Sequence, residues 1–436
     1  MGPGGSEMPQ HDKRQLMERT MRRAGELQAR HERRRRIVRT VPPLVLAVAL
    51  TAGVTAAVLT ATSGRGHELP PVGSGPTTTT APSRNTTPTS SLPGSTGTTV
   101  PVPTGVPGFD PQSFTSVSLT DWWLLGTAPC GSGSCPTIVR TTDGGRSFTK
   151  LAFPTGDLSL SNGVEAGLRF ADSQHGWAFG SGLAYTSNGG ASWTGEQVPG
   201  RVIDLEVADG HAFAIVCSSQ SSCGNVELLE SPVSGGSWST VALPVQIGAG
   251  QAALAVQGQT VVVTAAPPGN KNSPDNLIVS TDGGAHFTVY PSPCNPGLAG
   301  KAVVSMTDPT AWWAACPTGM MATAFRSTDS GHTWTAVTSS PPVPQFSNAL
   351  DFSAVSSMTA LAWPGNEGSL ELTTDGGLHF GQVLLSANSG LVIWAGFADP
   401  SQAYAIVESN ATPTPTYELW ESSDGGQQWQ RVRFSR

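Results

Sequence analysis

A short phrase is written seven times along this chain, and its period limits the possible folds more than any other feature. "TTDGGRSF" begins at Thr141, "TSNGGASW" at Thr186, "SPVSGGSW" at Ser231 and "STDGGAHF" at Ser280. "STDSGHTW" begins at Ser327, "TTDGGLHF" at Thr373 and "SSDGGQQW" at Ser422. The shared form is Ser/Thr-x-Asp-x-Gly-x-x-Trp/Phe. Its third positions are Asp143, Asn188, Val233, Asp282, Asp329, Asp375 and Asp424, spaced by 45, 45, 49, 47, 46 and 49 residues. A period of this size marks one supersecondary unit that cannot bury its faces alone.

The residue types are those of a tight hairpin corner. An Asp side chain accepts backbone N–H groups just ahead of it and folds the chain over itself. Gly145, Gly190, Gly235, Gly284, Gly331, Gly377 and Gly426 tolerate positive φ where the chain reverses. Phe148, Trp193, Trp238, Phe287, Trp334, Phe380 and Trp429 open the next strand and can pack back over the turn. A fold-stabilising corner explains these duties better than a catalytic aspartate. Val233 supports this, because a structural turn tolerates losing its acid and a catalytic set does not.

The text between corners repeats as well. Each corner is preceded by three β-like runs and followed by a fourth, as in "GLRFAD", "HGWAFG" and "GLAYTSNGG" in the second repeat. Four short strands make one blade, and seven blades close into a ring. Charged residues are only 13% of the chain, with Gly 51 and Pro 35, which suits a turn-rich all-β protein. The expected fold is an all-β, seven-bladed β-propeller over 110–436, at about 47 residues per blade.

These corners resemble those of the Asp-box (bacterial neuraminidase repeat) superfamily. The blade "LRFADSQHGWAFGSGLAYTSNGGASW", Leu168–Trp193, resembles the seven-bladed propellers of the photosystem II assembly-factor family and those of the sortilin type. The resemblance implies the fold of 110–436. It leaves function open, since the superfamily spans sialidases, xyloglucan hydrolases, sorting receptors and assembly chaperones.

Ahead of the ring, three segments are expected. Residues 1–40 carry 11 Lys+Arg against 5 Asp+Glu, a basic cytoplasmic head. No charged residue lies between Arg39 and Arg65, and 41–62 is expected to be a transmembrane helix built on Val41–Ala61. The arginines just before it place the head inside and the remainder outside. A cleaved signal peptide is the other reading, and it exports the same remainder. Residues 63–109 are rich in Pro, Thr and Ser, a disordered stalk. The body after residue 40 has 13 Lys+Arg against 26 Asp+Glu, which argues against a nucleic-acid partner.

A sialidase needs an arginine clamp and a Tyr/Glu nucleophile pair. Only Arg169 and Arg201 fall on or beside innermost strands, and Tyr185, Tyr290, Tyr404 and Tyr417 map to outer ones. A generic glycosidase needs two carboxyl groups across a cleft. Glu165, Asp204, Glu206 and Asp351 are the innermost-strand acids for that reading, with Asp204 and Glu206 on one face. Solvated channel lining is the alternative for them.

All six cysteines follow the apolar span, so an oxidised set is expected: Cys130–Cys135, Cys217–Cys223 and Cys294–Cys316. By the strand reading they gather on the face opposite the corners, among the loops of most varied sequence. Such loops on a rigid ring are where binding specificity resides, and stabilising exported loops is the alternative duty of the crosslinks. His286, His332 and His379 fall on different corners, so neither a metal nor a cofactor site is expected. The functional expectation is a membrane-anchored extracytoplasmic binding or scaffold module for an envelope protein or glycan. The alternative is a cell-surface glycoside hydrolase using channel carboxylates.

Overall fold

The computed structural model of the chain describes residues 105–154, 158, 166–217, 226–248, 252–265, 275–294, 302–317, 321–337, 346–347, 350–364, 369–383, 390–409 and 416–434. The head, the span at Val41–Ala61 and most of the stalk lie outside these residues, as do Glu165 and Cys223.

Seven antiparallel sheets are present, each built on four strands hydrogen-bonded in sequence order. They occupy 110–151, 167–196, 201–241, 253–290, 303–336, 350–383 and 391–431, and are numbered here as blades 1 to 7. The innermost strands are Asp110–Ser116, Gly167–Phe170, Arg201–Ala208, Ala253–Gln257, Val303–Met306, Leu350–Ala354 and Leu391–Phe397. Each of the first six packs on the innermost strand of the next blade, and the first strand of blade 1 meets the second and third strands of blade 7, so the sheets form a closed ring. The outer strands are only two or three residues long, which blunts the exposed edges.

The second strand of each blade is buried on both faces, which explains the paired tryptophans. Successive side chains on a strand point to opposite faces. Trp122 therefore joins Phe114, Phe148 and Tyr404 on the side of blade 7, while Trp123 stacks on Phe170 of blade 2 with ring centroids 3.9 Å apart. Trp312 and Trp313 divide in the same way, toward blade 4 and toward Phe352 of blade 6. Fully burying side chains of this size contributes about 2–3 kcal/mol each. The core is accordingly a series of apolar layers between blades.

The repeated corner joins the third strand to the fourth. Its hub is the Ser/Thr hydroxyl. Thr141 Oγ1 donates to Asp143 Oδ1 (2.8 Å) and accepts the Gly145 N–H (2.9 Å). Asp143 Oδ1 then accepts the Ser147 N–H (2.9 Å). The same hydroxyl-to-glycine bond, 2.9 Å long, recurs at Thr186, Ser280, Ser327, Thr373 and Ser422. In all seven blades a corner N–H also reaches the carbonyl of the turn between the first and second strands, at 2.8 to 3.1 Å. In five blades that turn is built by Asp172, Asp308 or Asp399, or by Ser118 or Ser356, each accepting two backbone N–H groups.

Each blade is contiguous in sequence, and closure is made by the chain ends. Val106 N–H donates to the Phe434 carbonyl (2.7 Å), and Phe434 packs against Phe109 and Phe148. The ordered ring thus begins before residue 110. The stretch "VPGF" reads as stalk by composition, yet Val106 and Phe109 are apolar plugs for the last seam and are buried there.

Candidate functional site

The two candidate regions are the inner rim, where the acids of a hydrolase would stand, and the loop face that carries the cysteines.

On the inner rim each innermost strand turns one edge to the channel, where its N–H groups have no neighbouring strand. Side chains of adjacent blades satisfy them. Ser113 Oγ accepts the Leu168 N–H and Thr115 Oγ1 the Phe170 N–H, each at 3.3 Å. Ser305 Oγ accepts the Ala354 N–H (2.9 Å). Asp204 Oδ2 accepts the Leu254 N–H (2.9 Å), bridging blades 3 and 4. An unpaired buried N–H costs about 1–3 kcal/mol, so these are structural bonds of consequence.

Glu206 does a second kind of bridging. Arg169 of blade 2 donates from Nε to Glu206 Oε2 (2.8 Å) and from Nη2 to Oε1 (2.7 Å). Side-chain exposures are 7% and 2%, so this bidentate pair is buried between blades 2 and 3. Burial works against the Arg169 charge, but Glu206 and Asp204 together more than offset it. Glu206 is therefore not solvated channel lining, and its partner arginine is not free to clamp a ligand. Asp351 stands in the innermost strand of blade 6, opposite Trp363 of the second strand. The structure thus gives two of the four sequence-selected acids an inter-blade role, places Asp351 three blades away from them, and does not describe Glu165.

The sequence reading missed Asp110, which opens the first innermost strand. Its Oδ1 accepts the Tyr417 N–H of blade 7. Burial, and then the nearby Glu408 carboxylate, push its carboxyl up to about 6 against the pull of that N–H. An acid at the first residue of an innermost strand, at the seam where the ring closes, was the available signal.

On the opposite rim the corner carboxylates are all engaged. His286 and His379 place Nδ1 2.7 Å from Asp282 and Asp375 respectively. Asp329 is held at about 2 by the Thr333 hydroxyl and N–H. Among the described residues no three His, Cys, Asp or Glu stand together as a metal site.

The loop face carries the crosslinks. Cys130–Cys135 ties the hairpin between the second and third strands of blade 1. Cys294–Cys316 ties the end of blade 4 to the second strand of blade 5. Cys217, at the end of the second strand of blade 3, is also disulfide-bonded, and its partner lies outside the described residues.

The chain matches no family model, and no curated protein matches it. Solved structures do resemble it. One is YCF48 bound to D1 peptide, at 16% identity over 74% of this chain and 95% of that one, with a TM-score of 0.49. The GH74 enzyme of Niastella koreensis is 14% identical over 74% of this chain and 62% of its own, at a TM-score of 0.34. A prolyl endopeptidase is 13% identical over 75% of this chain and 50% of its own, at 0.50. At such identities the likeness is one of fold alone.

Proposed function

We propose that this chain is a membrane-anchored, extracytoplasmic propeller that works by binding, with its specificity in the loops of the disulfide-bearing face. The observation that carries the reading is the employment of the rim acids. Asp204 and Glu206, the paired carboxylates best placed for hydrolysis, are both engaged in holding neighbouring blades together. Local crosslinks on the opposite loops support it from the other side, because stapling a loop reduces the entropy lost when it binds. The ligand class is an envelope protein or a glycan, and the anchor is Val41–Ala61.

The test is made on the full chain purified in detergent. It is offered to a glycan array and to envelope proteins, and in parallel incubated with a panel of polysaccharides assayed for new reducing ends. Saturable binding without turnover is expected, weakened by Cys130→Ser/Cys135→Ser. Hydrolysis that disappears in Asp204→Asn or Asp351→Asn, with thermal stability retained, overturns the reading in favour of a glycoside hydrolase.

A further inference from the structure

Six of the seven seams between blades are crossed by the chain itself. The seventh, between blades 7 and 1, is held by non-covalent contacts, and those contacts are chemically distinctive. Val106 N–H donates to the Phe434 carbonyl (2.7 Å). Phe114 stacks on Tyr404 at 4.6 Å and lies 4.9 Å from Trp394. A further tie is the Asp110 carboxyl on the Tyr417 N–H.

At other seams the job falls to hydroxyls, to acids on a neighbouring blade's N–H (Asp204 on Leu254, Asp275 on Ala302), or to an acid balanced by a guanidinium. Ser113, Thr115 and Ser305 do not titrate, and Glu206 faces Arg169. Asp110 faces another acid. Glu408 closes the second strand of blade 7, is buried, and pairs across the ladder with Tyr417, the residue whose amide Asp110 holds. Across its own blade Asp110 stands opposite Thr127, which carries no charge, and no basic group among the described residues pairs with it.

We propose that this seam is a proton-sensitive latch: the ring closes more tightly when Asp110, set beside Glu408 against the Tyr417 amide, carries a proton. The protonated acid keeps a carbonyl oxygen for the Tyr417 N–H. It loses the repulsion from Glu408 and the cost of holding a charge away from water. The direction follows from linkage. Asp110 titrates near 6 in the closed seam, above the ordinary aspartate range, so the closed state binds the proton more tightly than the open one. Closure is therefore favoured in acid and weakens as pH rises through about 6. The seam lies where the chain enters the ring, so its opening frees both ends of the propeller without breaking any blade.

Hydrogen exchange on the full chain tests this at pH 5 and pH 7.5, with rates corrected for intrinsic pH dependence. The Ala354 amide is the internal reference, because its acceptor, Ser305 Oγ, does not titrate. Protection at Val106 and Tyr417 is expected to fall ~10-fold relative to Ala354 between the two pH values, one decade per pH unit over which the closed state alone binds the proton. Asp110→Asn abolishes that dependence and raises protection at pH 7.5. Should that variant fail to fold, Glu408→Gln decides, since it leaves the Asp110–Tyr417 bond and removes the carboxylate charge beside it. A shallower pH dependence supports the latch. Protection at Val106 and Tyr417 that tracks Ala354 in the wild-type chain, or a slope unchanged in Glu408→Gln, overturns it.

Discussion

Thr373→Val separates two accounts of the repeated corner. The acid is its most visible residue, but in the structure the hydroxyl is the hub. Thr373 Oγ1 accepts the buried Gly377 N–H (2.9 Å) and donates to Asp375 Oδ1 (2.9 Å). Valine keeps the shape and removes both bonds. The orphaned Gly377 N–H costs about 1–3 kcal/mol and the lost donor bond about 0.5–1 kcal/mol, so a total near 3 kcal/mol is expected. At an unfolding entropy of about 2.1 cal/mol/K per residue, a ring of about 330 residues loses roughly 1.5 °C in Tm per kcal/mol. Thr373→Val should therefore lower Tm by about 4 °C in a calorimetric scan of the full chain. Asp375→Ala, which removes an acceptor that water can replace at the surface, should lower it by less than half as much. The reasoning is refuted if the aspartate variant is the more damaging of the two.

Other substitutions probe single features. Ser330 takes φ 61° where most corners have glycine, so Ser330→Gly relieves left-handed strain that exceeds the entropy glycine adds to the unfolded chain. A gain of about 0.5 kcal/mol is expected from equilibrium denaturation. Arg169→Met strands Glu206 in the core and should cost about 3–5 kcal/mol, whereas Arg169→Met/Glu206→Met should recover most of the loss. The double-mutant cycle is read from denaturation midpoints. Asp329 and Asp375 are held at about 2, below their unfolded range, so their contribution is present above pH 4 and lost as pH falls toward 2. A Tm–pH profile should therefore drop steeply below about pH 4. Asp375→Asn should flatten part of that drop.

Blade number, strand order and the corners were legible because each depends on local text repeated at a fixed period. A hairpin corner needs its own hydroxyl, acid and glycine within a few residues, so "STDGG" carries its geometry with it. The tie from corner to neighbouring turn was also present in the text, in "ADSQHG", "TDPTAW" and "ADPSQA". That second motif is easily passed over because aspartate and serine serve interchangeably in it. The rim was harder to read. Arg169 meets Glu206 across 37 residues and Asp204 meets Leu254 across 50, and neither partner is marked by its own neighbours. Such pairs occupy matching strand positions about one repeat apart, and only the closed ring brings them together. An acid on an innermost strand thus looks the same in the sequence whether it faces water in a channel or holds a neighbouring blade.

The third corner shows how the fold tolerates loss within its own motif. Val233 supplies no carboxylate. Its N–H keeps the tie to the turn that every blade makes, here to the Gly210 carbonyl (2.8 Å), and the Gly235 N–H turns to the Pro232 carbonyl within the corner (3.0 Å). From blade 2, the Tyr185 hydroxyl donates to the Val233 carbonyl (3.1 Å). Trp238 Nε1 donates to Glu196 (2.7 Å), which also accepts Trp177 Nε1 (3.1 Å). Burial raises the Glu196 carboxyl above the usual range, and the two indoles and the Gly236 N–H work against that rise. Blade 2 therefore provides the polar anchor that blade 3 lacks. A motif that can be replaced by a neighbour's tyrosine and glutamate is selected for holding a corner closed and not for its chemistry. Six corners are thus fixed by their own hydroxyl–glycine bonds and the third by blade 2, with the corner carboxylates already committed.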